Sequence, residues 1–306
     1  MNLKVKIGSL ELKNPVMTAS GTFGYGTEYE ELVDISKLGA IVTKTLTLEP
    51  RLGNPDPRIW EMPYGMLNSI GLANVGVKAF IKDKLPAIRR LKTKIIVNIA
   101  GKEEKDYSRV IEFLDQHDGF DAYELNVSCP NVKKGGMIFG GDPVVLHEIT
   151  KSCKKVTQRP VIVKMTPNVT DPGAVARAAE DGGADALTIG NTVLGMAIDI
   201  EKRTPKIPFV TAGYSGPGIK PINQAKLYQV KCAGVKIPLI GCGGILDYLD
   251  GIEYIVIGAI CLQIGSATYK NPNTAVEVVS GLSGYMEKHG FKDIYALSGS
   301  LKTSQK

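Results

Sequence analysis

The chain has 306 residues, of which 43% are hydrophobic and 22% charged, a balance that supports a sizeable folded core and excludes a disordered chain. Its 37 lysines and arginines against 31 aspartates and glutamates leave a net charge of +6, spread along the sequence without a basic block interleaved with aromatics, so nucleic acid is not an expected partner. No apolar run approaches the ~18 residues that span a bilayer, and Met1-Asn-Leu-Lys-Val-Lys6 lacks the apolar centre of a signal peptide, so we expect no membrane association and a cytoplasmic location.

Five cysteines (Cys129, Cys153, Cys232, Cys242, Cys261) include no CxxC pair, and His117, His147 and His289 have no ligand spacing, so no zinc or iron–sulfur site is expected in this chain. Cys153, Cys232 and Cys261 fall on helix or strand faces and are expected to pack; Cys242 stands incidentally between glycines.

In chain order, Val5 to Leu12 alternates around Gly8-Ser9 as a small hairpin. Eight apolar, β-rich runs follow, at Pro15–Ala19, Ala40–Thr43, Ile95–Ala100, Ala122–Val127, Val161–Met165, Ala186–Ile189, Ile237–Ile240 and Cys261–Ile264. Helical stretches are expected at Glu28–Lys37, Glu104–Gln116, Pro143–Thr157, Pro172–Asp181, Pro221–Ala233, Asp247–Val256 and Asn273–Lys288. Eight buried strands alternating with helices predict an α/β fold, a closed (β/α)8 TIM barrel forming one domain over residues 1–306, with a loose tail at 298–306. Two long, proline-rich connections, Thr47 to Val75 and Thr192 to Lys220, are expected to lie over the barrel mouth as lids or partner surfaces, with Trp60, Met66, Leu67 and Ile70 buried.

A barrel carries its site at the carboxyl ends of its strands. There this sequence places Ser20-Gly21, Lys44-Thr45, Asn98, Asn126, Lys164, Gly190-Asn191, Gly243-Gly244 and Gly265-Ser266. Turn-rich strand ends are common, but two lysines and three carboxamides among them suggest a polar ring. The glycines after the seventh and eighth strands suit a phosphate, and neither run matches the GxGxxG of a Rossmann site. The loop after the fourth strand, Glu124-Leu-Asn-Val-Ser-Cys-Pro-Asn-Val-Lys-Lys-Gly-Gly136, adds a thiol at Cys129. Without paired carboxylates or a histidine pair, this ring suits proton abstraction beside a carbonyl, with Cys129 as base and Lys44 and Lys164 balancing developing charge. A structural cysteine remains the alternative on this evidence, as does a lyase using Lys44 or Lys164 as a Schiff-base amine. A non-catalytic barrel subunit is a third reading.

Several motifs together resemble the class 1 dihydroorotate dehydrogenases: Asn14-Pro-Val-Met-Thr-Ala-Ser-Gly21, Gly53-Asn-Pro-Asp-Pro-Arg58, Met66-Leu-Asn-Ser-Ile-Gly-Leu72, Glu124 to Lys133, Val163-Lys-Met-Thr-Pro-Asn168, Asn191-Thr-Val-Leu-Gly195, Ser215-Gly-Pro-Gly-Ile-Lys-Pro221 and Gly243-Gly244. The resemblance runs from about Val5 to about Asn273. It implies one FMN per chain. Ala19, Ser20, Gly21, Lys44, Thr45, Asn98, Asn126, Lys164 and Gly190 would meet its ring and ribityl chain, and Gly216, Gly243, Gly244, Gly265 and Ser266 its lower chain and phosphate. It implies dihydroorotate held by Lys44, Asn68, Ile70, Gly71, Leu72, Asn126, Asn191 and Thr192, and Cys129 as the base that distinguishes the soluble class from the serine-using membrane class. Met66 to Leu72 and Gly195-Met-Ala-Ile-Asp-Ile200 are more similar to the NAD-linked type than to the fumarate-linked type. That type implies a homodimer joined by a partner subunit carrying FAD and a 2Fe-2S cluster, making a heterotetramer. Ala212, Tyr214 and Gly218 depart from the usual Gly, Leu and Ala of the family, which puts loop geometry in question.

Overall fold

The computed structural model describes residues 2–128, 130–131 and 137–303. Eight parallel strands close on themselves in sequence order: β1 (Val16–Thr18), β2 (Ala40–Val42), β3 (Lys94–Ile99), β4 (Ala122–Asn126), β5 (Val161–Met165), β6 (Ala186–Ile189), β7 (Leu239–Cys242) and β8 (Cys261–Ile264). β8 returns to β1 through Leu262 opposite Val16 and Ile264 opposite Thr18, which completes the barrel. Strands buried on both faces must be apolar throughout, and β2, β5 and β8 have no exposed residue. The (β/α)8 fold expected from the alternation is therefore the one observed.

Helices Glu104–Leu114, Pro143–Val156, Pro172–Asp181, Lys220–Cys232, Tyr248–Ile257 and Thr274–His289 cover the outside. Local chemistry sets their starts. Asp142 and Asp171 each precede a proline at the first helical position and accept backbone N–H bonds, the former from Val144 and Val145 and the latter from Ala174. Asp247 caps its helix through Leu249 and Asp250 N–H. At the other end of the barrel the hairpin Val5–Ile7 with Leu10–Leu12 turns at Gly8 against Asp185, just before β6, and buries Ile7 and Leu12 in the core.

One expected helix is absent, and two other stretches have structure that the sequence pattern did not give. Glu28–Lys37 is not a helix but two 3-10 turns, Thr27–Tyr29 and Ile35–Lys37. Between them Asp34 takes ψ 84° and accepts from the Ser36 hydroxyl at 2.6 Å, a local bond that competes with helix propagation. Residues 76–88, to which the sequence pattern assigns no element, are helical, with a π turn at Phe80–Lys84 ahead of the segment that carries Pro86. The tail expected to be loose is tied down over part of its length, since Gly299 and Leu301 N–H donate to Ile255 and Val256 carbonyls of the Tyr248–Ile257 helix.

The two long connections meet each other. Ile59–Met62, Gly65–Asn68, Ala212–Ser215 and Val193–Gly195 form one four-stranded antiparallel sheet beyond the barrel mouth. Leu67, Ile207 and Ala212 make its small core. Of the four residues expected to be buried in the first connection only Leu67 is; Met66 and Ile70 are half-buried and line the site, and Trp60 is partly exposed beneath the Lys206 ammonium at 4.9 Å.

Candidate active site

One large cavity of about 780 Å³ opens at the carboxyl ends of the barrel strands, within the range of small-molecule and cofactor sites. Ser20, Lys44 and Thr45 reach it from the ends of β1 and β2, Asn126 from β4, Lys164 from β5, Asn191 and Thr192 from the segment after β6, Gly243 and Gly244 from beyond β7, and Gly265 and Ser266 from beyond β8. The four-stranded sheet supplies Ile59, Met66, Asn68, Gly213 and Ser215 to the opposite wall. The lids predicted from proline content are thus one folded wall, braced where Asn68 Nδ2 donates to Gly213 O at 3.2 Å.

All of the residues expected at the substrate line this cavity: Lys44, Asn68, Ile70, Gly71, Leu72, Asn126, Asn191 and Thr192. Gly71 and Leu72 both have positive φ, 70° and 55°, which turns the chain sharply at the wall. Of those expected at the cofactor, Ala19, Ser20, Gly21, Lys44, Thr45, Asn126, Lys164, Gly216, Gly243, Gly244, Gly265 and Ser266 line it too. Asn98 and Gly190 do not. Asn98 is fully buried in β3, and Gly190, at φ 123°, is pressed against the Cys242 carbonyl so that no side chain fits there. Cys129 lies outside the described residues. Ser128 lines the cavity, its Oγ 2.9 Å from Asn191 Nδ2.

Hydrogen bonds fix the polar ring. The Ser20 hydroxyl donates to Thr43 O at 2.9 Å and stands 3.3 Å from Thr45 Oγ1, while Tyr107 OH donates to Asn126 O at 2.9 Å. Asn223 donates to Cys242 O at 2.9 Å and ties the end of β7 to the Lys220–Cys232 helix. Burial lowers the Lys44 pKa below the ordinary lysine value, Arg58 lowers it further, and Glu28 opposes them.

Beneath the cavity, Asn98 and Lys164 join three residues to which the sequence pattern assigns no role, Glu124, Thr188 and Gln263. Glu124 of β4 is fully buried and accepts from Asn98 Nδ2 at 2.7 Å, from the Thr188 hydroxyl at 2.8 Å and from Gln263 Nε2. Lys164 Nζ donates to Gln263 Oε1 at 2.9 Å. A carboxylate and an amide inside otherwise apolar strand runs were the available signal. Cys242, read as incidental, is buried at the cavity floor, where burial raises its thiol pKa and Lys164 opposes that rise. Cys153 and Cys261 pack in the core as expected, whereas Cys232 is exposed on the outer face of its helix.

The residues present suit a flavin mononucleotide. Lys44 and Lys164 offer ammonium donors to the cavity, Asn126 a carboxamide, and Gly243 and Gly244 backbone free of side chains, a donor set that matches the carbonyls of a flavin ring and a phosphate. A Cβ at Gly21 would meet no atom within 4 Å, which leaves open space beside the chain there. Among the described residues no cluster of His, Cys, Asp and Glu could hold a metal, and no helix is long and apolar enough to cross a membrane.

Two of the departures from the family pattern prove to be coupled. Tyr214 OH and Gly218 N–H both donate to Tyr64 O, at 2.9 and 3.1 Å, and a Cβ at Gly218 would stand 2.7 Å from the Tyr214 hydroxyl and 3.1 Å from its ring. A Cβ at 218 would therefore press on the end of the Tyr214 side chain, and Ala212 fills the small core beside them. We expect Gly218→Ala to cost about 1–3 kcal/mol in urea unfolding, most of it recovered in a Tyr214→Leu background. Strictly additive effects would refute the coupling.

Residues 2–286 match the family described as dihydroorotate dehydrogenase. A protein of a Thermoanaerobacter species named "Dihydroorotate dehydrogenase B (NAD(+)), catalytic subunit" is 54% identical over 99% of both chains. Proteins of the same name from Alkaliphilus metalliredigens and Trichlorobacter lovleyi are 52% and 49% identical, the first over 98% of this chain and 99% of its own, the second over 98% of each.

Proposed function

The chain belongs to the dihydroorotate dehydrogenase family, and from that premise we propose that it oxidises dihydroorotate to orotate, a step of pyrimidine biosynthesis, using FMN. The observation that carries this reading is the convergence of Lys44, Lys164, Asn68, Asn126 and Asn191 on one cavity whose wall includes Ser128, the residue before Cys129. Dihydroorotate is an anion with a ring of alternating C=O and N–H groups. Carboxamides, which carry both a donor and an acceptor, can match that alternation, and a lysine can balance the carboxylate.

In this reading Lys44, Asn68, Asn126, Asn191 and the backbone of Ile70 to Leu72 orient the substrate, with Thr192 beside Asn191. Cys129 takes the proton from C5. When bound, FMN supplies the acceptor for the hydride leaving C6, and the new C5=C6 double bond completes orotate. Ala19, Ser20, Gly21, Thr45, Asn126 and Lys164 would hold its ring and ribityl chain. Gly216, Gly243, Gly244, Gly265 and Ser266 would hold its lower chain and phosphate through backbone N–H groups. Lys164 would balance the negative charge gained on reduction. Asn98 and Gly190 support this shell from behind, the first by donating its NH2 to Glu124 and the second by letting β6 and β7 end in close contact.

The relatives' name, "catalytic subunit", supports a second protein as the route to NAD, which we take to carry FAD and a 2Fe-2S cluster, in a heterotetramer built on a homodimer of this chain. The test is the visible spectrum of the purified protein followed by anaerobic dihydroorotate: a yellow protein that bleaches supports the reading, and a colourless protein that neither binds FMN nor is reduced ends it.

The position of Lys44 predicts a pH effect. Its pKa lies below the ordinary lysine value, so the ammonium is lost on the alkaline side earlier than for a free lysine. The carboxylate of dihydroorotate then loses its counter-charge, and KM should climb as pH rises through that range. In Lys44→Arg the guanidinium stays charged, so KM, whatever its starting value, should no longer climb. Parallel KM profiles for the two proteins would remove Lys44 from carboxylate binding.

A further inference from the structure

The proposed function uses Lys164 but none of the groups that hold it, and the following inference rests on that placement of Lys164 at the cofactor. Glu124, Gln263 and Thr188 are fully buried and do not line the cavity; Lys164 does. An ammonium can only donate, so Gln263 must turn Oε1 toward Lys164 Nζ, 2.9 Å away. Its Nε2 then faces Glu124 and the Thr188 hydroxyl, and Asn98 directs its NH2 to the other carboxylate oxygen. Every neighbour of Glu124 is thereby a donor, and the bonds run in one sense from the Lys164 cation through a neutral amide to an acceptor carboxylate.

The geometry also explains why an amide stands between the two charges. Lys164 Nζ is 4.0 Å from Glu124 Oε1, close enough for attraction but beyond a hydrogen bond. A direct pair would draw the ammonium down into the barrel. Gln263 provides an acceptor at the level of the cavity floor, so Lys164 keeps N–H groups for what the cavity holds.

We propose that Glu124, outside the cavity, is the positioning residue that keeps Lys164 a cation aimed into it, with Gln263 as the bridge that sets its height. Among the described residues, the titratable groups around Lys164 are Glu124 from β4, Cys242 from β7 and Lys44, which lines the same cavity from the end of β2. Burial opposes the Lys164 cation, Cys242 and Glu124 more than offset it, and its pKa stands above the ordinary value. Burial pushes the Cys242 thiol pKa up and Lys164 opposes that rise, while the Glu124 carboxyl oxygen lies 4.0 Å from Lys164 Nζ.

The test is a carbon NMR titration of the full chain labelled at lysine Cε, with Lys164→Met to assign the signal, alongside FMN affinity at each pH. In the wild type the Lys164 signal should hold its ammonium position into the alkaline range. In Glu124→Gln it should titrate at lower pH, and FMN binding should weaken about tenfold or more between neutral and alkaline pH, the loss of one charge-assisted hydrogen bond. Glu124→Asp should restore both. Gln263→Met should leave the lysine titration near wild type yet weaken FMN by a similar factor, and it decides the matter should Glu124→Gln fail to fold. A Lys164 titration unchanged in Glu124→Gln, or FMN affinity unchanged in Gln263→Met, would overturn the proposal. The lysine titration needs no flavin, so a chain that binds no FMN would refute the cofactor reading while the titration still judges Glu124.

Discussion

Replacing Cys129 with alanine is expected to leave FMN bound and the protein folded while slowing reduction of the flavin by dihydroorotate by ~10²- to 10⁴-fold, the usual contribution of a positioned general base. The expectation rests on chain position. Cys129 follows Ser128, which lines the cavity and is held by Asn191, and it precedes Pro130–Asn131, which pairs with Met137–Ile138. Serine should restore only part of the rate, because a hydroxyl is hardly ionised in the pH range where a thiol, with a pKa of ~8.5, supplies thiolate. For the same reason wild-type reduction should accelerate as pH rises toward that range, and the alanine variant should lose this dependence. Stopped-flow reduction under anaerobic conditions measures both. A wild-type rate in Cys129→Ala would remove the thiol from the chemistry and leave the lysines and carboxamides to act with another base.

The barrel was legible because strands buried on both faces must be written as apolar runs, and β5, β6 and β8 fall where those runs are. The polar ring was legible for a related reason: the carboxyl ends of such strands are where apolar pattern gives way, so Lys44, Asn126 and Asn191 stood out. What escaped was non-local. Gly213 pairs with Asn68, 145 residues earlier, and no local pattern announces that two proline-rich connections will share a sheet. Glu124 and Gln263 are 139 residues apart, and each alone reads as a flaw in a strand until closure of the barrel brings them together. The 76–88 helix was hidden by Gly76 and Pro86, both poor helix residues. The glycine at 218, in the 3-10 turn Pro217–Ile219, made sense only beside Tyr214, whose side chain folds forward over the space that a Cβ would take.

The isolated chain is expected to reduce its own FMN with dihydroorotate and yet to turn over with NAD at no more than a small fraction of its rate with an artificial dye. Its sequence has no GxGxxG fingerprint for a dinucleotide, and its cysteines lack the spacing of an iron–sulfur relay. Among the described residues, Cys153, Cys242 and Cys261 are buried in separate elements and Cys232 is exposed on another, so they form no cluster. Under the proposed function, electrons leaving the cavity are expected to reach NAD through a second protein, in keeping with the name of the relatives. Steady-state turnover of the purified chain with NAD, with fumarate and with a dye separates the alternatives. Robust turnover with NAD alone would sink the two-subunit reading, and robust turnover with fumarate would place the chain with the fumarate-linked type. Activity with the dye alone, extended to NAD when a flavin and iron–sulfur partner is added, is the expected result. Because the partner would act only after the flavin is reduced, it should raise NAD turnover without changing the anaerobic rate at which dihydroorotate bleaches the chain.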